Sequence, residues 1–209
     1  GGALLGDRIR LSVLDDKDKS ESIYVRSIAT RSSSGSIPSI VRSLANHLLA
    51  NNFDLVIIET VGAGQSEMRC AAVANRIVVV EGPARGDGIQ AEKAGLLELA
   101  DLIVVNKSDL DGADKVVNDL TMSLGLTDDM PPIIKTSTIS NEGLDQLATM
   151  VTKLEERTSS KRARNRQQIL MAHENILTSN PHFEVVLDRM SEEGLGLEDA
   201  LRELSERSS

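Results

Sequence analysis

The strongest constraint on this chain is a set of four short apolar runs: Phe53-Asp54-Leu55-Val56-Ile57-Ile58-Glu59, Ile77-Val78-Val79-Val80, Leu102-Ile103-Val104-Val105-Asn106 and Pro132-Ile133-Ile134-Lys135-Thr136. They do not alternate apolar with polar residues, so they suit strands covered on both faces, as in a parallel sheet. Helical patterns lie beside and between them. Ile40, Val41, Leu44, Leu48 and Leu49 share one helical face, with Pro38 as a first-turn residue. Residues 88–99 carry Ile89, Leu96, Leu97 and Leu99 and lead straight into the third run, and residues 112–124 and 142–156 repeat the arrangement. Strand and helix alternating at this spacing predict right-handed crossovers and a doubly wound parallel α/β sheet.

From about Thr158 the strand patterns stop, and helical segments are expected near 162–178, 181–191 and 197–207, with Gly194 and Gly196 punctuating the last gap. The expected organisation is an α/β domain over 1–157 and an α-helical extension over 158–209. Ser32-Ser33-Ser34-Gly35-Ser36 reads as a flexible connection.

Composition excludes several classes of function. The chain has two Phe, one Tyr and no Trp, so its core is aliphatic and aromatic platforms for single-stranded nucleic acid are not available. A formal charge of −9 argues against a broad nucleic-acid footprint. The single cysteine, Cys70, cannot form an internal disulfide. No stretch approaches the roughly 20 apolar residues of a membrane span. A cytoplasmic protein that binds neither nucleic acid nor membrane is the expectation.

Asn106-Lys107-Ser108-Asp109 sits at the carboxyl end of an apolar run, where ligands bind in open α/β sheets. A carboxylate at Asp109 can accept hydrogen bonds from the N1 imino and N2 amino groups of guanine. Adenine offers neither donor and would leave that carboxylate unpaired, which is costly. Asn106 can tie the loop to its neighbours, and the Lys107 stem can cover the base. A plain turn after a strand draws on the same residue types. Glu59-Thr60-Val61-Gly62 also ends an apolar run. A glycine there lets a backbone N–H approach a terminal phosphate, and the carboxylate can hold the water shell of a magnesium ion. Thr136-Ser137-Thr138 closes the fourth run and can offer hydroxyl and backbone contacts to the base oxygen.

These strand ends, in this order, resemble the GTPase branch of the P-loop NTPases. Within that branch the sequence resembles the ArgK/MeaB family, the methylmalonyl-CoA mutase-associated GTPases. Gly1-Gly2-Ala3-Leu4-Leu5-Gly6-Asp7-Arg8 is similar to the family's GGSxLGDKxR stretch, and Glu59-Thr60-Val61-Gly62-Ala63-Gly64-Gln65-Ser66-Glu67 to its ETVGVGQSE. Gly86-Asp87-Gly88-Ile89-Gln90 with Lys93 resembles the loop that the family uses as an additional switch. The resemblance implies that Asp7 and Glu59 act near Mg2+ and that Gly62 senses the γ-phosphate. It implies that Asn106, Lys107 and Asp109, supported by Ser137, hold the guanine of GTP or GDP. Gln90 and Lys93 would belong to the switch, and the helical tail to a homodimer contact. The implied function is a GTP-hydrolysing chaperone of an adenosylcobalamin-dependent acyl-CoA mutase, with the cobalamin carried by that partner. A kinase or ATPase linked to amino-acid transport is the rival enzyme reading, and Asp109 speaks against ATP. A partner-binding module without turnover is the rival from another class.

The sequence departs from the pattern in one respect. No Gly-x-x-x-x-Gly-Lys-Ser/Thr loop occurs in it, and with that loop go the phosphate cradle, the β/γ-phosphate lysine and a magnesium-binding hydroxyl. The expectation is a P-loop NTPase-like sheet lacking its first strand and P-loop, in a chain that is part of a longer GTPase and has little nucleotide affinity alone. His47, His173 and His182 are scattered, and Asp15-Asp16-Lys17-Asp18-Lys19 reads as a solvated loop. The Lys161–Arg166 cluster suits either a solvated helix start or contact with an acidic partner or nucleic acid, and the overall acidity favours the first. Ile169, Leu170, Ile176 and Leu177 suit either a dimer seam or packing on the chain's own α/β domain.

Overall fold

A computed structural model describes residues 23–26, 28, 40–60, 73–83, 91–125 and 129–206, with 91–94 described in their backbone alone. The fold is organised around its central strand. In chain order the described elements are α1 (Ile40–Ala50), β1 (Val78–Glu81), α2 (Ala91–Leu99), β2 (Leu102–Asn106), α3 (Ala113–Leu124), β3 (Ile133–Thr136), α4 (Leu144–Thr152), α5 (Thr158–Thr178), α6 (Phe183–Glu192) and α7 (Leu197–Glu206). The three strands form one parallel sheet in the order β1-β2-β3, with Val79 opposite Ile103 and Val104 opposite Ile134.

The unbroken apolar character of Leu102–Val105 has the meaning expected of it. All four side chains are buried, and they leave β2 alternately to its two faces. Ile103 and Val105 join Leu97, Leu99, Leu120 and Leu124 from α2 and α3 in the larger core. Leu102 and Val104 join Ile134, with Leu147, Met150 and Val151 of α4 packed against them. Helices on both faces of a parallel sheet are the α/β layering that the sequence predicts.

The first apolar run does not behave like the others. Residues 53–60 carry no strand, Leu55 is exposed, and Ile57 is 77% exposed. A strand covered on both faces needs a hydrogen-bonding neighbour and a layer on each side. Next to β1 neither is provided among the described residues, because Val80 on that strand is itself 56% exposed. The apolar pattern of 53–59 records a capacity for burial that the described elements do not satisfy.

α4 also ends earlier than the pattern over 142–156 suggests. Lys153 N–H donates to Thr149 O and Met150 O, closing the helix, and residues 154–157 lead to the amino end of β2, where Arg157 N–H donates to Asp101 Oδ1 at 3.3 Å. Leu154 packs in the smaller core while its carbonyl accepts Arg76 Nε at 2.8 Å. The chain then enters α5, which packs on α2. Farther on, α6 and α7 close over their own small core of Val186, Ala200 and Leu204, flanked by Leu177, Phe183 and Met190. Full burial of a Val or Leu side chain contributes about 1.5–3 kcal/mol to such a core.

Candidate functional site

The carboxyl ends of β2 and β3 lie side by side, with Asn106 paired to Thr136 in the strand register. Past the strands the two loops remain joined. Ser108 N–H donates to Thr136 O at 3.0 Å, and Thr136 Oγ1 donates to Asn106 Oδ1 at 3.3 Å. Between these contacts Lys107 adopts a φ of 61°. A left-handed conformation costs a lysine about 1–2 kcal/mol, so the turn here is imposed by its surroundings. It turns the exposed Lys107 and Asp109 out of the sheet end. Gly82, which follows β1, closes the third side. A Cβ built there would lie 3.1 Å from Asn106 O, so the backbone after β1 runs close against Asn106 and a side chain there would crowd it.

Ser137 is fully buried and ties the pieces together. Its Oγ accepts the N–H groups of Ile139 and Ser140, both at 3.2 Å. Those two donors occupy the hydroxyl lone pairs and leave its single proton to point at Asp109 Oδ1, with which it makes a short hydrogen bond. Asp109 is therefore pinned through one oxygen, while among the described residues its other oxygen accepts nothing. A carboxylate held in this way can accept two N–H donors from one edge of a planar base. That donor pattern fits guanine and not adenine.

A second strap crosses the same two loops. Ser108 Oγ donates to Glu142 Oε2 at 2.7 Å, while Ser137 N–H donates to Glu142 O at 3.0 Å in an antiparallel bridge. The turn that brings Glu142 back depends on Gly143, whose φ is 69° and whose backbone passes so close to Lys135 that a Cβ would lie 2.2 Å from its carbonyl oxygen. Lys135 in turn pairs with Asp114 of α3 at 3.0 Å, and that hydrogen bond raises the ammonium pKa, with Glu142 adding to it.

Of the residues expected to form a site, the structure brings together Asn106, Lys107, Asp109 and Ser137. Glu59 is exposed in the irregular stretch after α1. Asp7, Gly62 and Gln90 lie outside the described residues, as does the side chain of Lys93, whose backbone belongs to α2. Among the described residues no group of three His, Cys, Asp or Glu side chains could hold a metal ion. No described helix is long and apolar enough to cross a membrane.

Sequence reasoning missed a second polar cluster at the opposite end of β2. Asp101 is buried and accepts hydrogen bonds from Ile77 N–H (2.9 Å), Arg164 Nη1 (2.6 Å), Ser160 Oγ (2.6 Å) and Arg157 N–H (3.3 Å). Burial by itself would raise the Asp101 carboxyl pKa. The hydrogen bonds from Arg164, Ser160, Ile77 and Arg157 outweigh it and hold the group below its ordinary value. Arg164, one of the Lys161–Arg166 cluster, is therefore neither solvated nor free for a partner. It is buried, and it also reaches Glu156 at 2.9 Å. Arg157 donates to the carbonyls of Ala100 and Asp129, and Ser159 donates to Asp129 Oδ2 from both its N–H (3.1 Å) and its hydroxyl (2.8 Å). The signal was an acidic residue abutting a wholly apolar strand. Such a residue needs a cation, but the sequence does not say which one.

Comparison with known proteins bears on the same chemistry. The model of a family described as "Methylmalonyl Co-A mutase-associated GTPase MeaB" matches residues 1–193. A Pyrococcus abyssi protein provisionally named a GTPase is 38% identical over 154 residues, covering 70% of this chain and 47% of that protein. The GTPase ArgK of Escherichia coli is 36% identical over 116 residues, covering 56% of this chain and 34% of that one. The fused isobutyryl-CoA mutase of Paraburkholderia xenovorans is 35% identical over 120 residues, covering 57% of this chain and 9% of the mutase. The chain spans about half the length of the relatives that match most of it.

Proposed function

Because this chain belongs to the methylmalonyl-CoA mutase-associated GTPase (MeaB) family, we propose that it supplies the guanine-reading part of a cytoplasmic GTPase that attends an adenosylcobalamin-dependent acyl-CoA mutase as its chaperone. The observation that carries the reading is Asp109, fixed through one oxygen by Ser137 and left with acceptor capacity toward solvent. Asn106 braces the loop against Thr136, and Lys107 covers one face of the base. Ser137 sets the direction of Asp109 and does not itself need to touch the ligand. Hydrolysis in the whole protein proceeds by attack of water on the γ-phosphate, favoured by positioning and charge stabilisation and not by a covalent intermediate. A bound magnesium ion would neutralise charge on the phosphates, with Asp7 and Glu59 as its carboxylates and Gly62 as the backbone contact to the γ-phosphate. Gln90 and Lys93 belong to the switch that reports the nucleotide state to the mutase. The cobalamin stays with the mutase.

The relationship to a fused isobutyryl-CoA mutase supports a mutase partner, since fusion keeps two cooperating activities in one chain. Ile169, Leu170 and Ile176 on α5, with Leu187 and Leu201 on α6 and α7, are exposed, which supports the homodimer contact and not packing on the α/β domain. Leu177 instead packs within the helical extension.

The test is Asp109→Asn in the native gene product that contains this chain. A guanine site read by Asp109 loses GTP affinity by about a hundredfold or more and gains affinity for the xanthine nucleotide, whose oxygen at C2 matches the amide donor. Unchanged preference between the two nucleotides overturns the base assignment. Binding without turnover in that product would favour the partner-binding module over the enzyme.

A further inference from the structure

We propose that Glu142 is a positioning residue for guanine selection, acting through Ser108. The inference rests on the base-pocket reading above and extends it from the residues that face the base to the one that holds their loop. Three observations carry it. The Ser108 hydroxyl lies between Lys107 and Asp109, and it donates to Glu142 Oε2 at 2.7 Å. Glu142 O accepts Ser137 N–H at 3.0 Å, so the same residue also anchors the serine that pins Asp109. Gly143, at a φ of 69° and against the Lys135 carbonyl, fixes where the Glu142 backbone stands, so the side chain that carries the acceptor starts from a constrained turn.

The physical consequence follows from the exposure of the loop. Lys107 holds an unfavourable left-handed φ, and both Lys107 and Asp109 are exposed, so burial among the described residues does little to hold residues 107–109 in place. Among the described residues, three hydrogen bonds tie them to the β3 side: Ser108 N–H to Thr136 O, Ser137 Oγ to Asp109, and Ser108 Oγ to Glu142. The last two of these have carboxylate acceptors, which makes them the stronger kind of hydrogen bond, and the one to Glu142 is the one that holds Ser108 itself. Without it the loop can rock about the strand end. A carboxylate that must meet two donors at once is then misplaced before one that meets a single donor. Loss of the strap should therefore weaken guanine, which presents N1–H and the 2-amino group, more than hypoxanthine, which presents N1–H alone.

The experiment measures dissociation constants for GDP and IDP on the native gene product containing this chain. The variants are Glu142→Ala, Glu142→Gln, Ser108→Ala, the double alanine variant and Asp109→Asn. Glu142→Ala and Ser108→Ala are each expected to weaken GDP by about three- to tenfold and to shrink the GDP-over-IDP preference, because a charge-assisted hydrogen bond between solvent-accessible groups has a value of that order. The double variant should be no worse than either single one, since both remove the same contact. Glu142→Gln, which keeps a neutral amide oxygen for Ser108, should recover part of the loss and fall between the parent and Glu142→Ala. A general loss of folding would lower both affinities together, with no change in their ratio and no rescue by glutamine. That pattern, or additive single variants, overturns the proposal while leaving the base pocket standing. If Asp109→Asn leaves the preference for guanine over xanthine nucleotides unchanged, the pocket reading fails and the proposal falls with it.

Discussion

Asp101 and Asp109 flank the same strand, and the structure treats them in opposite ways. At the amino end of β2, Asp101 is buried and both its oxygens are taken, by two side chains of α5 and two backbone N–H groups. At the carboxyl end, Asp109 is exposed and one oxygen takes one hydroxyl. The first is complete without a ligand and binds the start of α5 to the sheet. The second is oriented but unfinished, and its remaining acceptor capacity is what a base can use. Residue type does not separate a structural carboxylate from a ligand-reading one. The count of donors already aimed at it, and the water it has given up, do.

The largest effect expected from that contrast is on stability. Arg164→Ala strands a buried carboxylate, and breaking a buried pair by removing one partner costs about 3–5 kcal/mol. For a chain of this size that lowers the thermal midpoint by on the order of 10 °C. Asp109→Ala removes an exposed partner and should cost less than about 1 kcal/mol. Thermal or urea unfolding of the two variants side by side decides the matter. Equal losses would mean that the two ends of β2 differ less than their burial suggests.

Acid should act on the same end. The folded pKa of Asp101 lies below its ordinary 3.8, so its contribution to stability is present above that value and is lost as pH falls through the lower, folded value. Asp129, held down by Ser159, and Glu156, held down by Arg164, shift in the same direction and add to the slope. Asp101→Asn is expected to start from lower stability at neutral pH and to lose less of it below about pH 4. A variant that tracks the parent curve throughout that range would remove Asp101 from the account of acid unfolding.

At the other end the next effect is on binding. Ser137→Ala leaves Asp109 without the proton that fixes its direction, and takes the acceptor from the N–H groups of Ile139 and Ser140. GDP affinity in the native gene product should fall about tenfold, equivalent to one charge-assisted hydrogen bond, with a small loss in thermal midpoint. Isothermal titration of parent and variant measures the first and a melting curve the second. A large fall in midpoint with affinity unchanged would make Ser137 structural, like Asp101.

The two ends were also unequally legible. Asn106-Lys107-Ser108-Asp109 is contiguous, and its strand is buried on both faces, so both motif and placement could be read from the chain. Ser137 could be read as the end of the next strand, because parallel neighbours bring their carboxyl ends together. Glu142 could not, because its role depends on the turn at Gly143 and on a hydrogen bond between loops. Asp101 and Arg164 stand 63 residues apart, and nothing local marks one arginine of a basic cluster as the buried one. Phe53–Glu59 shows the converse error. Periodicity reports that a run can be buried, but whether a neighbour exists to bury it is a tertiary fact, and Ile57 remains exposed.

The smallest effect expected lies between the two ends. Lys135 pairs with Asp114 at 3.0 Å, but the lysine side chain is 41% exposed and the aspartate 84%. Ion pairs in that setting contribute about 0–1 kcal/mol, because water screens the charges and both side chains lose freedom in meeting. Lys135→Ala should therefore shift the thermal midpoint least of these variants, an effect that fades as salt rises. It tests the comparison at its weakest point, since Lys135 also neighbours Glu142 beside the loops that follow β2 and β3. If the loops are held by the hydrogen bonds from Ser108 and Ser137, the guanine-over-hypoxanthine preference is unchanged in Lys135→Ala. A preference that shrinks as far as it does in Glu142→Ala would show that charge near Glu142, and not its bond to Ser108, sets the loop. The carboxyl end of β2 would then be governed by the same ion pairing that closes its amino end.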